Sequence, residues 1–263
     1  MTEPIDQPEP GYSSGAMPFL DHLDELRKRL LRSILAVVVC SLVAFYFSDE
    51  LFRLLIIPLG DVKLHVTEVT GSFYAYLKVS LITGVIASLP IVFYQLWMFV
   101  APGLYPNEKR AILPIVTIAT LLFLIGAGFC WWVILPMSLK FLIGFSNDIL
   151  NPIITVDSYI SFSGLLLLAF GFGFELPIAA YFLAKVGILS SRFMSVGRPY
   201  AIVLILIAAA ILTPPDVFTQ VLLGAPLYVL YEISIILVRG VERSRRKALA
   251  RAGNNIDKTE PEA

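Results

Sequence analysis

The chain is 263 residues long, 57% hydrophobic and 15% charged, with a mean hydropathy of +0.81 and a formal net charge of zero. Soluble domains carry about 25% charged residues, so this composition excludes an ordinary water-soluble domain and indicates an integral membrane protein. The neutral total conceals a strong segregation of charge along the chain, and no basic block suggests a nucleic-acid partner.

Residues 1–17 are polar and Pro-rich with no apolar core segment, so they read as a disordered tail rather than a cleavable signal peptide. The stretch PFLDHLDELRKRL that follows has the period of an amphipathic helix, with Pro18 suited to its first turn. Phe19, Leu23, Leu26 and Leu30 form the apolar stripe, while Asp21, Glu25, Lys28 and Arg32 lie elsewhere. This lead-in is expected at the membrane surface, running directly into the first span.

Six apolar segments follow, at 30–47, 76–100, 111–135, 159–184, 200–213 and 218–238. The expected architecture is an all-α integral membrane domain of six transmembrane helices over residues 18–238, with a basic tail over 239–263. Two connecting segments carry their own pattern. Residues 48–71 contain a short amphipathic stretch ending at Pro58, then VKLHVTEV, whose alternation predicts a brief extended piece. Residues 136–158 resume helical character at PMSLKFLIGF before a polar turn at Ser146-Asn147-Asp148. Both pieces are expected to cap the bundle on its outer side.

The run from Ser158 to Ala184 is long enough to cross a bilayer, and Glu175 is its only charge. An ionisable group there costs on the order of 2.5–3.5 kcal/mol on insertion scales, so it faces protein or water. Pro177, two residues on, leaves the carbonyl of Gly173 without its helical donor. Gly164, Leu168, Gly171 and Glu175 share one helical face, where the glycines let another helix approach closely. A working polar site and a carboxyl simply bonded to a neighbouring helix are both open on this segment alone.

The fifth span is short. Tyr200 to Thr213 reaches about 21 Å at 1.5 Å per residue, against a hydrocarbon core of roughly 30 Å. Pro214-Pro215-Asp216 then forces spans five and six into a hairpin. Either the bilayer thins there or the hairpin stops short of the outer surface. Gln220 and Glu232 place polar groups in the sixth span.

Arg and Lys set the orientation. Sixteen of the twenty fall in the lead-in, the second and fourth loops and the tail, and the other side carries only Arg53, Lys63, Lys78 and Lys140. That asymmetry places both termini in the cytoplasm. Aromatics agree, with Phe45-Tyr46-Phe47 and Trp131-Trp132 at outer ends and Tyr94 and Trp97 at an inner end. The tail sequence RSRRK reads as an anchor on anionic lipid. Cys40 and Cys130 lie in apolar stretches and read as packing residues, with no disulfide or metal spacing. His22 and His65 have no metal-type partner, and no hydrolase, P-loop or dinucleotide motif is present, so no cofactor or enzyme chemistry is expected.

Four motifs occur in order: HLDELRKRLLRS in the lead-in, FVAPGLYPNEKR in the first cytoplasmic loop, FGFGFELP in the fourth span and LTPPDVFTQ in the hairpin. Together they resemble the TatC family, the polytopic subunit of the twin-arginine protein translocase, from Phe19 to Val238. The resemblance implies a cup-shaped six-span receptor with both termini inside, in the inner membrane. It implies binding of the signal peptides of folded export substrates, assembly with the single-span partners TatA and TatB as part of an oligomer, and transport driven by the proton-motive force. Carried over by motif, Glu25 and Glu108 contact the signal's two arginines, with Arg27 in the same segment as Glu25. Glu175 is the intramembrane polar site, Asp216 and Gln220 belong to a hairpin involved in partner contact, and Pro58 and Pro177 are structural. Pro106, beside Glu108, departs from the more polar residue expected there and stiffens the loop.

Without the family, Glu25 reads as a surface ion pair with Lys28 or Arg29, and Glu108 as a solvated loop carboxylate. Two cytoplasmic carboxylates at one membrane surface can each take an arginine fork bidentately. The competing class is a proton-coupled secondary transporter using Glu175, which calls for further ionisable groups near the midplane and inverted halves. Neither feature stands out, and an intramembrane enzyme lacks a second catalytic group.

Overall fold

The computed structural model describes residues 19–60, 62–100, 112–144, 153–213 and 216–256. The tail at 1–17, the loop holding Pro106 and Glu108, the turn at 146–148 and Pro214-Pro215 lie outside them. Ten α-helices account for most of the described chain: α1 Phe19–Tyr46, α2 Ser48–Ile56, α3 Gly71–Val100, α4 Ile112–Phe129, α5 Leu135–Ile143, α6 Val156–Phe174, α7 Leu176–Val186, α8 Ser191–Val196, α9 Arg198–Leu212 and α10 Val217–Ile256. Five helical stretches are long and apolar enough to cross a membrane, namely Asp21–Tyr46, Gly71–Val100, Leu113–Ile143, Val156–Val186 and Val217–Lys247; Arg198–Leu212 is a sixth, shorter apolar helix.

The lead-in runs directly into the first span as expected, because α1 is unbroken from Phe19 to Tyr46. Its exposure separates Glu25 and Arg29 from the rest of the charged residues. Leu23, Leu26 and Leu30 are exposed, whereas the side chains of Glu25 and Arg29 keep only 20% and 15% of their surface. In a bilayer the apolar stripe is satisfied by lipid, so the polar face is the one that needs protein partners. Those partners come from the end of α3: the His22 and Phe99 rings stack 4.3 Å apart. Further along the same pair of helices, an added Cβ on Gly84 of α3 would collide with the backbone of Ser41. Two chains this close gain dispersion contacts that lipid tails cannot match.

One apolar core joins α3, α4, α6 and the caps around Phe123, Phe170, Ile160 and Leu166. The glycine face read from the sequence is used as expected, but by two different helices. Gly164 receives Ile82 of α3, and Gly171 lies under the ring of Phe123 of α4. Gly173 receives Leu227 of α10, and Gly126 of α4 meets Phe174 in return. A smaller core of Ala180, Ala184, Met194, Ile235 and Val238 ties α7 and α8 to α10.

The end of the bundle opposite the start of α1 carries a cap. After α2, a 3-10 turn at Ile57–Leu59 contains Pro58 in its first positions and closes on Gly60, at φ 69°, where left-handed backbone favours glycine. The extended piece expected near VKLHVTEV is a single parallel bridge, His65 to Thr155, with His65 N–H donating to the Ile154 carbonyl at 2.9 Å and Val156 N–H to that of His65 at 3.0 Å. Thr155 then caps α6, its hydroxyl accepting from Ser158 N–H at 3.2 Å. Tyr159, buried at 2% exposure, donates to the Leu55 carbonyl at 2.7 Å and fastens α6 beneath the cap. Lys78 and Asp157 pair at 2.5 Å on the same side. Between α4 and α5 the helix widens into a π turn over Cys130–Ile134, just before Pro136 removes a donor.

Two expectations change and a third holds. The fourth span is two helices, broken at Glu175, with Pro177 in the first turn of α7 where its missing N–H costs nothing. The helix of the sixth span does not stop near 238: α10 is 40 residues long, about 60 Å, and its backbone stays helical through Ile256, well into the basic tail. The fifth is short as expected, at 15 residues.

Candidate functional site

The candidate residues fall in three places. At the end where α1 begins, Glu25 pairs within its own helix: Arg29 Nε donates to Glu25 Oε1 at 2.9 Å, and Arg29 Nη1 reaches Gln95 Oε1 of α3 at 3.4 Å. The intrahelical ion pair read from the spacing is therefore present, with Arg29 rather than Lys28; Lys28 pairs with Asp24 at 2.6 Å. The second oxygen, Glu25 Oε2, is buried and has no hydrogen-bond partner among the described residues. A carboxylate accepts about four hydrogen bonds, so one side of this group is left without its usual complement. Arg27 is exposed. α3 ends at Val100, one residue beyond the Phe99 that stacks on His22, so its end lies one helical turn from Glu25. Glu108 itself lies outside the described residues.

Glu175 is the second place. It closes α6 and opens α7, its N–H donating to the Phe172 carbonyl at 3.1 Å and its carbonyl accepting from Ala179 N–H at 2.9 Å. The side chain is half-buried, and Oε1 is buried without a hydrogen-bond partner among the described residues. The junction is flanked by α4 through Phe174 and Gly126, and by α10 through Gly173 and Leu227. A carboxyl at a helix break among apolar neighbours is costly to leave with an unmet acceptor. Pro177 is buried and sets the break.

The third place is the α9–α10 hairpin, where local roles account for both polar residues. Asp216 caps α10: Oδ1 accepts from Thr219 N–H at 2.7 Å, and Oδ2 from the Thr219 hydroxyl. Gln220 Nε2 donates to the Leu206 carbonyl at 2.9 Å, tying α10 to α9. Gln220 N–H also donates to the Asp216 carbonyl at 3.2 Å, and no hydrogen bond among the described residues joins either of them to Glu175. Pro58 belongs to the cap, remote from all three.

A fourth cluster was missed in the sequence. Arg198, at the start of α9, forks onto Glu232 of α10, Nε to Oε1 at 2.6 Å and Nη2 to Oε2 at 2.8 Å, and the Tyr228 hydroxyl adds a bond to Oε1 at 2.9 Å. Tyr231 donates to the Met194 carbonyl at 2.8 Å, and Glu242 accepts from Ser191 N–H at 2.9 Å and its hydroxyl at 2.6 Å. These contacts lock the α8–α9 elbow onto α10. Glu232 at three to four residues from Tyr228 was visible as a helical neighbour, but Arg198 is 34 residues away and only the tertiary hairpin supplies it.

Comparison with known proteins now decides the family. The family model described as Sec-independent protein translocase protein (TatC) matches residues 21–226. The chain belongs to the TatC family. A Sec-independent protein translocase protein TatC of Desulforapulum autotrophicum is 42% identical over 245 residues, covering 91% of each chain, and one of Campylobacter jejuni is 43% identical over 227 residues, covering 84% of this chain and 93% of that one. A crystal structure of a twin-arginine translocase receptor, TatC, superposes with a TM-score of 0.78 at 41% identity, over 84% of this chain and 99% of that one. The chain is a multi-pass membrane component of a Sec-independent protein translocase, and this family takes the place of the proton-coupled transporter and intramembrane enzyme readings.

Proposed function

We propose that the chain is the signal-recognising subunit of its translocase. It spans the inner membrane six times as a cup-shaped bundle, with both termini in the cytoplasm and α9 as the short fifth span. Glu25 and Glu108 together bind the paired arginines of an export signal. The single observation that carries this is Glu25: a half-buried carboxylate at the root of the Glu108 loop, with one oxygen held by Arg29 and the other buried without a partner. A guanidinium fork fits a carboxylate through two parallel N–H donors, and an incoming arginine completes Glu25 by exchanging with Arg29 or adding beside it. Lysine offers only a point charge, so Arg-to-Lys signals bind less well.

Glu175 serves the second half of the task. Its orphan oxygen accepts a donor from the single helix of a partner such as TatA or TatB, and the hairpin around Asp216 and Gln220 lies beside that helix. Transport itself draws on the proton-motive force, within a larger complex that holds more than one copy of this chain.

Affinity for an Arg-Arg signal peptide tests recognition. A charge-assisted hydrogen bond contributes about 1.5–3 kcal/mol, so Glu25→Ala and Glu108→Ala should each weaken binding roughly ten- to a hundredfold while the protein stays in the membrane. An unchanged affinity in the double variant removes the assignment. Cysteines at Gly15, Asp61, Asn147 and Asn254 test the topology, and labelling of the first or last from outside the cell defeats it.

A further inference from the structure

The cap end contains a cavity of about 610 Å³ that none of the roles above uses. One wall is the turn Ile57-Pro58-Leu59-Gly60 with Val62; the other is one face of the α4–α5 helix, through Trp131, Trp132, Pro136, Leu139, Lys140 and Ile143. The volume lies within the usual range of ligand pockets, and the lining is apolar apart from one cation. No carboxylate lines it, and Lys140 has no ion-pair partner among the described residues.

Two adjacent tryptophans line the cavity. Trp131 and Trp132 both sit in the π turn at Cys130–Ile134. Trp131 is anchored by its indole N–H, which donates to the Leu54 carbonyl at 3.3 Å. Trp132 is 76% exposed, and its indole N–H has no acceptor among the described residues. Lys140 follows two turns later along the same helix, farther toward the cap end.

We propose that this cavity holds one anionic phospholipid. Its phosphate meets the Lys140 ammonium at the rim, its glycerol region lies beside the Trp132 indole, and one acyl chain enters between Leu59, Val62 and Leu139. Tryptophan belongs at the boundary of hydrocarbon and headgroup, and a lysine a little farther out extends into the phosphate layer. Basic pockets beside membrane helices take lipid headgroups for the same reason. An uncharged apolar ligand would leave Lys140 without its counter-ion, and a free anion would leave the apolar lining unfilled. The bound lipid wedges α2 and its turn against α5 and so stiffens the cap.

Native mass spectrometry of the detergent-purified chain, titrated with phosphatidylglycerol or phosphatidylcholine, tests the site. Phosphatidylglycerol should be retained in preference. Lys140→Gln should lower its retention roughly tenfold, as expected for one charge-assisted contact, and Lys140→Arg should preserve it. Trp132→Leu, a change at an exposed position that leaves the fold intact, should also lower it. Equal retention by Lys140→Gln, or no preference between the two lipids in the parent chain, overturns the proposal. Displacement of the bound lipid by glycerol phosphate at equal concentration overturns it too, because the acyl chain would then contribute nothing.

Discussion

Glu232 and Glu175 are both carboxylates within apolar helical stretches, yet the protein treats them in opposite ways. Glu232 is closed: Arg198 takes both of its oxygens and Tyr228 adds a third bond. Glu175 is open: one of its oxygens is buried without a partner, and its neighbours Phe174, Gly173 and Leu227 are apolar. A satisfied ionic cluster fixes geometry, whereas an unsatisfied carboxyl carries a cost that a binding partner can relieve. The elbow at Glu232 is therefore a joint, and the helix break at Glu175 is where we propose that a partner binds.

The largest expected effect follows from the open site. Glu175→Leu should abolish or severely reduce crosslinking to single-span partners and export, while the purified protein keeps or gains thermal stability. The gain follows from removing a buried unsatisfied group, worth about 1–3 kcal/mol. Parent-like export and crosslinking in Glu175→Leu and Glu175→Ala together would erase the distinction between the two carboxylates.

The closed site should respond the other way. Glu232→Ala leaves Arg198 without its counter-charge inside the hairpin, so the unfolding midpoint in detergent should fall and less protein should accumulate in the membrane. Signal-peptide affinity per folded molecule should hold. A double variant exchanging the charges, Arg198→Glu with Glu232→Arg, should recover part of the midpoint. If Glu232→Ala were as stable as the parent but deficient in partner crosslinking, the elbow would be a binding site after all.

Helix α9 sharpens the comparison, because it joins the elbow to the cap end with only 15 residues. That is about 22 Å against a hydrocarbon core of roughly 30 Å, so either the bilayer thins beside it or the hairpin stops short of the outer surface. Inserting a few leucines should impair export without blocking insertion, measured by export of a folded reporter at matched protein levels. Undiminished export would detach the short span from function.

The smallest effect belongs to Asp216. As an N-cap for α10 it contributes about 1 kcal/mol, so Asp216→Ala should lower stability by about that amount and Asp216→Asn should be close to neutral. A strong export defect in Asp216→Asn at normal stability would show that the carboxylate does more than cap.

Much of this molecule was legible from residues alone. Hydropathy over windows of about 20 residues marked the apolar helices, because in lipid every backbone group must be satisfied within its own segment. The Pro-rich break and the solitary charge made Glu175 stand out, and Gly164 and Gly171 announced close approaches before any neighbour was known. The short fifth helix could be counted directly. Glu25 was visible as an i, i+4 partner of Arg29, since helical spacing is a local property.

Other features depended on distant chain segments meeting. Periodicity marked the stripe Leu23, Leu26 and Leu30 but could not say that lipid would face it and that α3 would cover Glu25; a helix in a bilayer inverts the rule learned from water. The partners of the glycines, Ile82, Phe123 and Leu227, come from three different helices. The Arg198–Glu232 joint spans 34 residues and the bridge from His65 to Thr155 spans 90, both beyond the reach of any local rule. Local sequence determined which segments are helical, where they break and which groups are costly to bury. Only the tertiary packing decided which of those costs are relieved internally, at Glu232, and which stay unrelieved among the described residues, at Glu175 and Glu25, because relief requires a donor from another part of the chain.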